Sequence, residues 1–465
     1  MAAEGSGDAG VAGALGVDAG RIAVWADDIE SRDAEQKANV GKNETEVRDA
    51  EQEPIVSTDD IEEGRDAYKP GGLHPVYIGD IYAAKYEVMS KLGWGQYSTV
   101  WLVKDLSKEP NNEHRFRALK VLSDESYSHE HSIFERDILR RFRDGDRKLL
   151  GYKYVCHLID DFKLTGPNGT HVCLALELMG ETLASFGVWF PEDSVPTLLM
   201  RKFSFQIVCA LDFAHENQVI HTDIKPDNIF VRVLGTSQIE SGYLAQEPIP
   251  KQNRAEERYT PIKSLPLRWF YFGGDGSRLG EVNLALGDWG VSSWFTKHLT
   301  ENIQPVALRA PEVLIKAKWD KQVDVWNLGA VLLEVYRAVQ MFSGRVPPDG
   351  HYERKEHLAE MVALFGPFPK RLLELGDTGI VESVFDDEGR VKGAIPVCYP
   401  PLTSEGFLPG LDLETREMFA SFLGAMMKLD PAERLTPEQL VKHPWLRPGQ
   451  HRLPGEIYPQ SLSDK

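Results

Sequence analysis

One ordered set of residues constrains this chain more than any other. It is the run His221-Thr222-Asp223-Ile224-Lys225-Pro226-Asp227-Asn228, with Asp288-Trp289-Gly290 beginning 60 positions after Asn228. An acid, a lysine two residues on, an amide three beyond that and a second acid before glycine are the parts of a phosphoryl-transfer site. Asp223 can orient or deprotonate a hydroxyl, and Lys225 can offset the charge of a moving phosphoryl group. Asn228 and Asp288 can hold the metal ions that bridge phosphates.

Upstream, Lys91-Leu92-Gly93-Trp94-Gly95-Gln96-Tyr97-Ser98-Thr99-Val100 reads as strand, glycine turn and strand. Glycine lets a backbone approach phosphates with its N–H groups exposed, although most such turns are ordinary hairpins. The phosphate-covering reading gains from Ala118-Leu119-Lys120-Val121, which resembles the protein kinase strand carrying the phosphate-pairing lysine. The order of these motifs as a whole resembles the protein kinases. That resemblance implies an α+β, bilobal fold with a small β-rich N-lobe and a large helical C-lobe, and ATP with Mg2+ in the cleft between them. It assigns the nucleotide to Leu92, Gly93, Gly95, Ser98, Val100, Ala118 and Lys120, with Ser98 where a third glycine often stands. Leu174-Ala175-Leu176-Glu177-Leu178-Met179 resembles the strand and hinge on which adenine rests. Backbone groups of Glu177 and Met179 would meet the adenine edge, and Leu176 would limit the depth behind it.

Between Lys120 and the catalytic run, Ile133, Phe134, Ile138 and Leu139 recur at helical spacing. Glu135 on that helix can pair with Lys120, and Glu130 is the alternative. Taken alone, a helical glutamate more often belongs to a solvated face. Helical periodicity also spans 200–217 and 322–337. His221 is expected to make backbone hydrogen bonds beneath the site, and Asp324 resembles a buried acid that holds the catalytic loop through its N–H groups. Glu312, in Ala310-Pro311-Glu312, and Arg434 resemble a buried ion bridge. Trp289 reads as a packing choice near Leu139 and His221.

Composition sets limits. The 465 residues exceed one simple core, so two lobes plus extensions are expected. These are an acidic, disordered tail over 1–67, the N-lobe over 68–179, the C-lobe over 180–446 with a short insert at 231–283, and a tail at 447–465. The formal net charge is −19, and the first 70 residues hold 18 Asp or Glu against 7 Lys or Arg, a balance of −11. Acid of that density opposes direct nucleic-acid binding, which needs clustered Lys and Arg. No apolar run approaches the roughly 20 residues of a membrane span, and a soluble monomer is expected. Cys156, Cys173, Cys209 and Cys398 lack paired metal spacing and read as reduced core thiols.

A narrower resemblance begins at Gly71-Gly72-Leu73-His74-Pro75-Val76-Tyr77-Ile78-Gly79-Asp80 and continues through Trp94, Thr222, Leu158-Ile159-Asp160-Asp161-Phe162-Lys163 and His443-Pro444-Trp445-Leu446. Across most of 68–446 the chain is similar to the SR-protein kinases, which phosphorylate arginine/serine-rich splicing factors. The resemblance implies basic, arginine/serine-rich protein substrates and a cytoplasmic location, with the nucleus as a second compartment. Thr222 stands where many kinases carry an arginine that pairs with a phosphorylated loop. Threonine cannot neutralise a phosphate, so the resemblance implies a loop ordered by its own contacts and constitutive activity.

Departures fall where substrate is chosen. Pro305-Val306-Ala307-Leu308-Arg309 replaces the family's Thr-Arg-Gln-Tyr-Arg, and only Arg309 is kept. The insert, with its aromatic run Arg268-Trp269-Phe270-Tyr271-Phe272, is shorter than the family's. Glu353, Glu356 and Glu360 would share a helix face suited to a basic ligand, with a plain solvated surface as the alternative. Two further functional readings stay open: a kinase-fold scaffold with little or no catalysis, and an active kinase with a different basic substrate.

Overall fold

The N-terminal sheet shows why two of its strands can carry a ligand site. Strands β1 (Ile81–Tyr82), β2 (Tyr86–Gly95), β3 (Ser98–Asp105), β4 (Phe116–Leu122), β5 (Leu158–Gly166) and β6 (Gly169–Glu177) lie in the order β1-β2-β3-β4-β6-β5, all pairs antiparallel. Side chains of a strand alternate between faces, and here both faces are covered. On one, Tyr86, Val88, Trp101, Val103, Leu119 and Val121 pack with Val76, Tyr82 and Ile262. On the other, Leu102, Phe116 and Leu122 join helix α1 (Glu135–Arg143) through Ile138, Leu139 and Phe142. Three apolar residues at spacings of one and three form the buried stripe of α1. Acids in its first turn and arginines in its last complement the helix dipole.

The computed structural model describes residues 62–110, 112–127, 133–186, 195–233, 235, 239–246, 252–256, 258–267, 279–337 and 340–446. All of them lie in one unit, Glu46–Lys465. The proposed tail 447–465, most of the acidic tail, Glu130 and the run 268–272 fall outside the described residues. Among the described residues, no helix is long and apolar enough to cross a membrane.

Strand β7 (Met179–Thr182) leaves the first sheet and pairs with β9 (Ile229–Arg232), which pairs with β10 (Leu284–Leu286). Met179, expected as the last residue of the N-lobe, therefore already belongs to the second sheet, because its strand partner is Arg232. Helix α2 (Thr197–Glu216) is buried along nearly its whole length. It leads through Gln218, at φ 65°, to β8 (Val219–Ile220) and the catalytic run. Helix α3 (Gln322–Arg337) is buried from Gln322 to Val335. Each large apolar side chain it hides contributes about 1.5–3 kcal/mol. Cys156, Cys173 and Cys209 are buried free thiols as expected; Cys398 is exposed, so core packing does not explain it.

One expectation about the periphery changes. Residues 62–67 are structured, with a 3-10 turn at Arg65–Ala67, so the order of the lead-in starts before 68. The reason is Lys91. Its side chain is fully buried in β2 and pairs with Glu62 at 2.5 Å and with Glu63. The insert packs on the same strand. Lys91 Nζ donates to the Ile262 carbonyl at 3.1 Å, and Leu265 N–H donates to the Lys91 carbonyl at 2.8 Å. Tyr243 meets Ser90 Oγ at 2.8 Å, and the Gln252 side chain bonds both Ile78 N–H and the Val76 carbonyl. Lead-in and insert thus close together over one face of the first sheet.

Candidate active site

The turn between β2 and β3 is set by the pairs Gly93 with Val100 and Gly95 with Ser98. A Cβ built at Gly93 or Gly95 would meet no atom within 4 Å. Packing within the protein does not demand glycine there; open space above the turn does, if a ligand fills it. Val100 faces Lys120 across β3 and β4, and Ala118 lies between Leu102 and Leu176 on neighbouring strands. Leu92 and Val100 are half-buried, and Ser98 and Ala118 are buried.

Lys120 Nζ stands 2.7 Å from Glu135 Oε1 and 2.9 Å from Asp288 Oδ1. It therefore joins β4, α1 and the segment after β10. Burial opposes the charge on Lys120, but Asp288 and Glu135 outweigh it and raise its pKa. Enclosure likewise pushes the Asp288 carboxyl up, but Lys120, helped by Lys225, holds it down at about 2. Asp288 keeps 46% of its side chain exposed, so it remains accessible to a ligand. Gly290 forms the floor: a Cβ there would come within 3.3 Å of Asp288 Oδ1 and 3.8 Å of Lys120 Nζ.

The catalytic run is held from below. Asp324 accepts from the N–H groups of His221 and Thr222, both at 2.8 Å, and from His215 at 3.0 Å. His221 Nε2 lies 3.0 Å from the Gly287 carbonyl, and Asp223 N–H donates to its Nδ1. Burial lowers the pKa of His221, so it stays neutral with one nitrogen accepting and the other donating. It is scaffold, as its sequence position suggested. Asn228 spends its amide N–H groups on the Asp223 carbonyl and carboxylate, both at 2.8 Å, leaving Oδ1 as its metal-ligand atom. Lys225 Nζ is 3.8 Å from Asp223 Oδ2.

Asp288 and Thr222 are non-glycine residues at φ 56° and 66°, and Gln218 and Gln304 nearby are at 65° and 69°. Such left-handed conformations cost about 1–3 kcal/mol each and persist where the surroundings over-determine them. Here hydrogen bonds supply that. Thr222 Oγ1 donates to the Val291 carbonyl at 2.9 Å, Gln304 N–H donates to the Thr222 carbonyl at 3.0 Å, and Ser292 Oγ bonds the His221 carbonyl.

At the hinge, Glu177 N–H is donated to the His157 carbonyl, so of its backbone groups only the carbonyl can face a ligand. Its side chain pairs with Arg232. Trp289 is buried against His221, 4.5 Å between centroids, and Phe142, 4.7 Å. Its indole N–H has no partner among the described residues, which fits a residue selected for ring volume. Glu312 and Arg434 form a closed bidentate pair at 2.6 and 2.7 Å.

The glutamate face does not survive. Glu356 is buried and accepts from Ile395 N–H at 2.9 Å; Glu360 accepts from Gly344 N–H at 3.1 Å and Ser343 Oγ at 3.3 Å. Glu353 lies 3.1 Å from His351. Glu356 and Glu360 brace loops around the helix Arg354–Phe365, and Glu353, its partly exposed N-cap residue, is left without them as a shared acidic face. Sequence reasoning also missed Asn327, whose Oδ1 accepts from Ile224 N–H at 3.0 Å and whose Nδ2 donates to the Leu308 carbonyl at 3.4 Å. It ties the Pro305–Arg309 stretch to the catalytic run. The signal was available, since Asn327 sits one turn after Asp324 on the same helix face.

Among the described residues, no three His, Cys, Asp or Glu side chains form a metal cage. One carboxylate, Asp288, and one amide oxygen, Asn228, suit a hard cation whose remaining ligands come from phosphates and water. The donor set therefore fits Mg2+ bound together with a nucleotide.

The protein kinase domain family model matches residues 86–248 and 275–446. A serine/threonine protein kinase of Aspergillus fumigatus is 34% identical over 388 residues, which cover 83% of this chain and 90% of that protein. SRSF protein kinase 3 of Homo sapiens is 25% identical over 532 residues, covering 84% of this chain and 91% of its own. The crystal structure of a kinase domain matches with a TM-score of 0.54 at 22% identity, over 80% of this chain and 98% of that one, a likeness of fold.

Proposed function

We propose that this chain, which belongs to the protein kinase family and is an SR-protein-kinase-like serine/threonine kinase within it, phosphorylates serines in basic, arginine/serine-rich protein segments. One observation carries the assignment of the site: Lys120, Glu135 and Asp288 come from three separate segments and meet within 2.9 Å. Lys120, held by both acids, would pair the phosphates of ATP while the β2–β3 turn covers them. Leu92, Val100, Ala118 and the hinge at Glu177 and Met179 would enclose adenine.

Mg2+, held by Asp288 and Asn228 Oδ1, would neutralise charge developing on the phosphates. Asp223 accepts the proton of the serine hydroxyl as its oxygen bonds to the γ-phosphorus, the bond to the β-phosphate oxygen breaks, and ADP leaves. Lys225, beside Asp223, offsets the charge of the transferring group. Positioning and charge compensation supply most of the acceleration. The name of the human relative, an SRSF protein kinase, supports the substrate class.

Transfer of radiolabelled γ-phosphate to an arginine/serine peptide and to a generic basic protein tests this reading. Labelling of the peptide, lost in Asp223→Asn, is expected. Labelling of the generic protein alone keeps the kinase and discards the substrate class, and labelling of neither leaves a scaffold.

A further inference from the structure

The geometry points to Lys297 and Phe134 as positioning residues that hold Glu135 on Lys120 without phosphorylation. The inference rests on the chain's being an active kinase.

Helix α1 needs such a hold at its start. Phe134 is its N-cap and offers no side-chain hydrogen bond to the helix. Arg136 N–H donates to Tyr127 Oη at 2.8 Å, and Arg136 and Arg140 pair with Asp161, each at 2.5 Å. These ties all run to the N-lobe. They fix α1 to its own sheet, and Phe142 meets Trp289 only at the far end of the helix, so none of these contacts ties the first turn, where Glu135 stands, to the catalytic run.

The segment after Asp288 supplies the missing link. Trp294 pairs with Val219 of β8, Phe295 N–H donates to the Gln218 carbonyl at 3.0 Å, and Leu299 N–H donates to Ser293 Oγ at 2.9 Å. Trp294 and Lys297 exchange both backbone hydrogen bonds at 3.1 Å, closing a tight turn. The backbone of Lys297 is therefore fixed relative to the catalytic run. Its Nζ lies 4.9 Å from the ring centroid of Phe134, over a ring that is 9% exposed. A cation within about 6 Å of an aromatic face is attracted by the ring quadrupole. The chain of contacts then closes from β8 through Trp294, Lys297, Phe134, Glu135 and Lys120 to Asp288, with an ammonium over an aromatic ring where a phosphate bridge would otherwise serve.

The test uses the full chain and whichever of the two substrates above it labels. Lys297→Met is expected to lower kcat about 2- to 5-fold with melting temperature unchanged, and Phe134→Leu, which also trims a buried ring, to lower kcat by the same factor. The double variant should be no slower than either single, and Lys297→Arg should retain activity because it keeps the cation. Losses that multiply in the double variant, full activity in Lys297→Met, or failure of Lys297→Arg would overturn the inference while leaving the kinase assignment intact. A wild-type chain that labels neither substrate would overturn the functional reading instead.

Discussion

Two lysines on the same sheet are each held by two carboxylates, and they do opposite things. Lys91 on β2 meets Glu62, Glu63 and the Ile262 carbonyl with none of its side chain exposed. Every proton of its ammonium has an acceptor within the protein, so nothing is left for a ligand. Lys120 on β4 meets Glu135 and Asp288, retains 12% exposure, and lies beside a carboxylate that is 46% exposed. Glu135 Oε2 has no hydrogen-bond partner among the described residues. The same residue type with the same two-acid environment becomes a seal where the shell is complete and a working site where it is open.

The largest expected effect separates the two directly. Lys120→Met should lower γ-phosphate transfer by at least about 1,000-fold, measured by initial rates, with a cooperative melt retained. Lys91→Met should do the reverse. It leaves Glu62 and Glu63 facing a buried apolar group, a loss of about 3–5 kcal/mol, read as a lower denaturant midpoint. The fraction that remains folded should keep its kcat. If Lys91→Met removes activity without lowering the midpoint, the seal is part of the site and the comparison fails.

Acid should sharpen the contrast with a smaller effect. His74, in the lead-in beside the Lys91 side of the sheet, is pushed down to about 4 by burial and by His171, with Asp80 opposing. A folded-state value below the ordinary 6.5 or so means stability that is fully present above pH 6.5 and lost as pH falls towards 4. The loss is at most about 3 kcal/mol. Asp288, at about 2, contributes stability that persists above the ordinary carboxylate range and is lost only as pH falls through about 2. His357, lowered by burial to about 3, adds a similar acid loss from the C-lobe. Melting temperature against pH should therefore fall between pH 6.5 and 4, and His74→Gln should flatten part of that slope. An unchanged slope in His74→Gln would place the acid sensitivity elsewhere.

The site was more legible in the sequence than its surroundings. Asp223, Lys225, Asn228 and Asp288 sit in short runs whose order alone specifies their chemistry, whereas helical spacing alone would leave Glu135 on a solvated face and only those neighbouring motifs pair it with Lys120. Helix 322–337 was read with its observed bounds, because an uninterrupted apolar periodicity fixes it. The glutamate face failed because periodicity shows which residues share a helix face but not what lies opposite. The Ile395 and Gly344 N–H groups that occupy Glu356 and Glu360 come from loops without a pattern of their own. Lys91 was invisible for a related reason: a lysine in a strand reads as exposed until distant acids are shown to bury it.

The partners of Lys91 also bear on the order of synthesis. Ile262 lies 171 residues beyond Lys91, so a ribosome finishes the first sheet long before the segment that covers it exists. Domains usually mature one after another as they emerge. This one must wait with part of that apolar face uncovered, and with Lys91 held only by Glu62 and Glu63, until more than half of the polypeptide has been made.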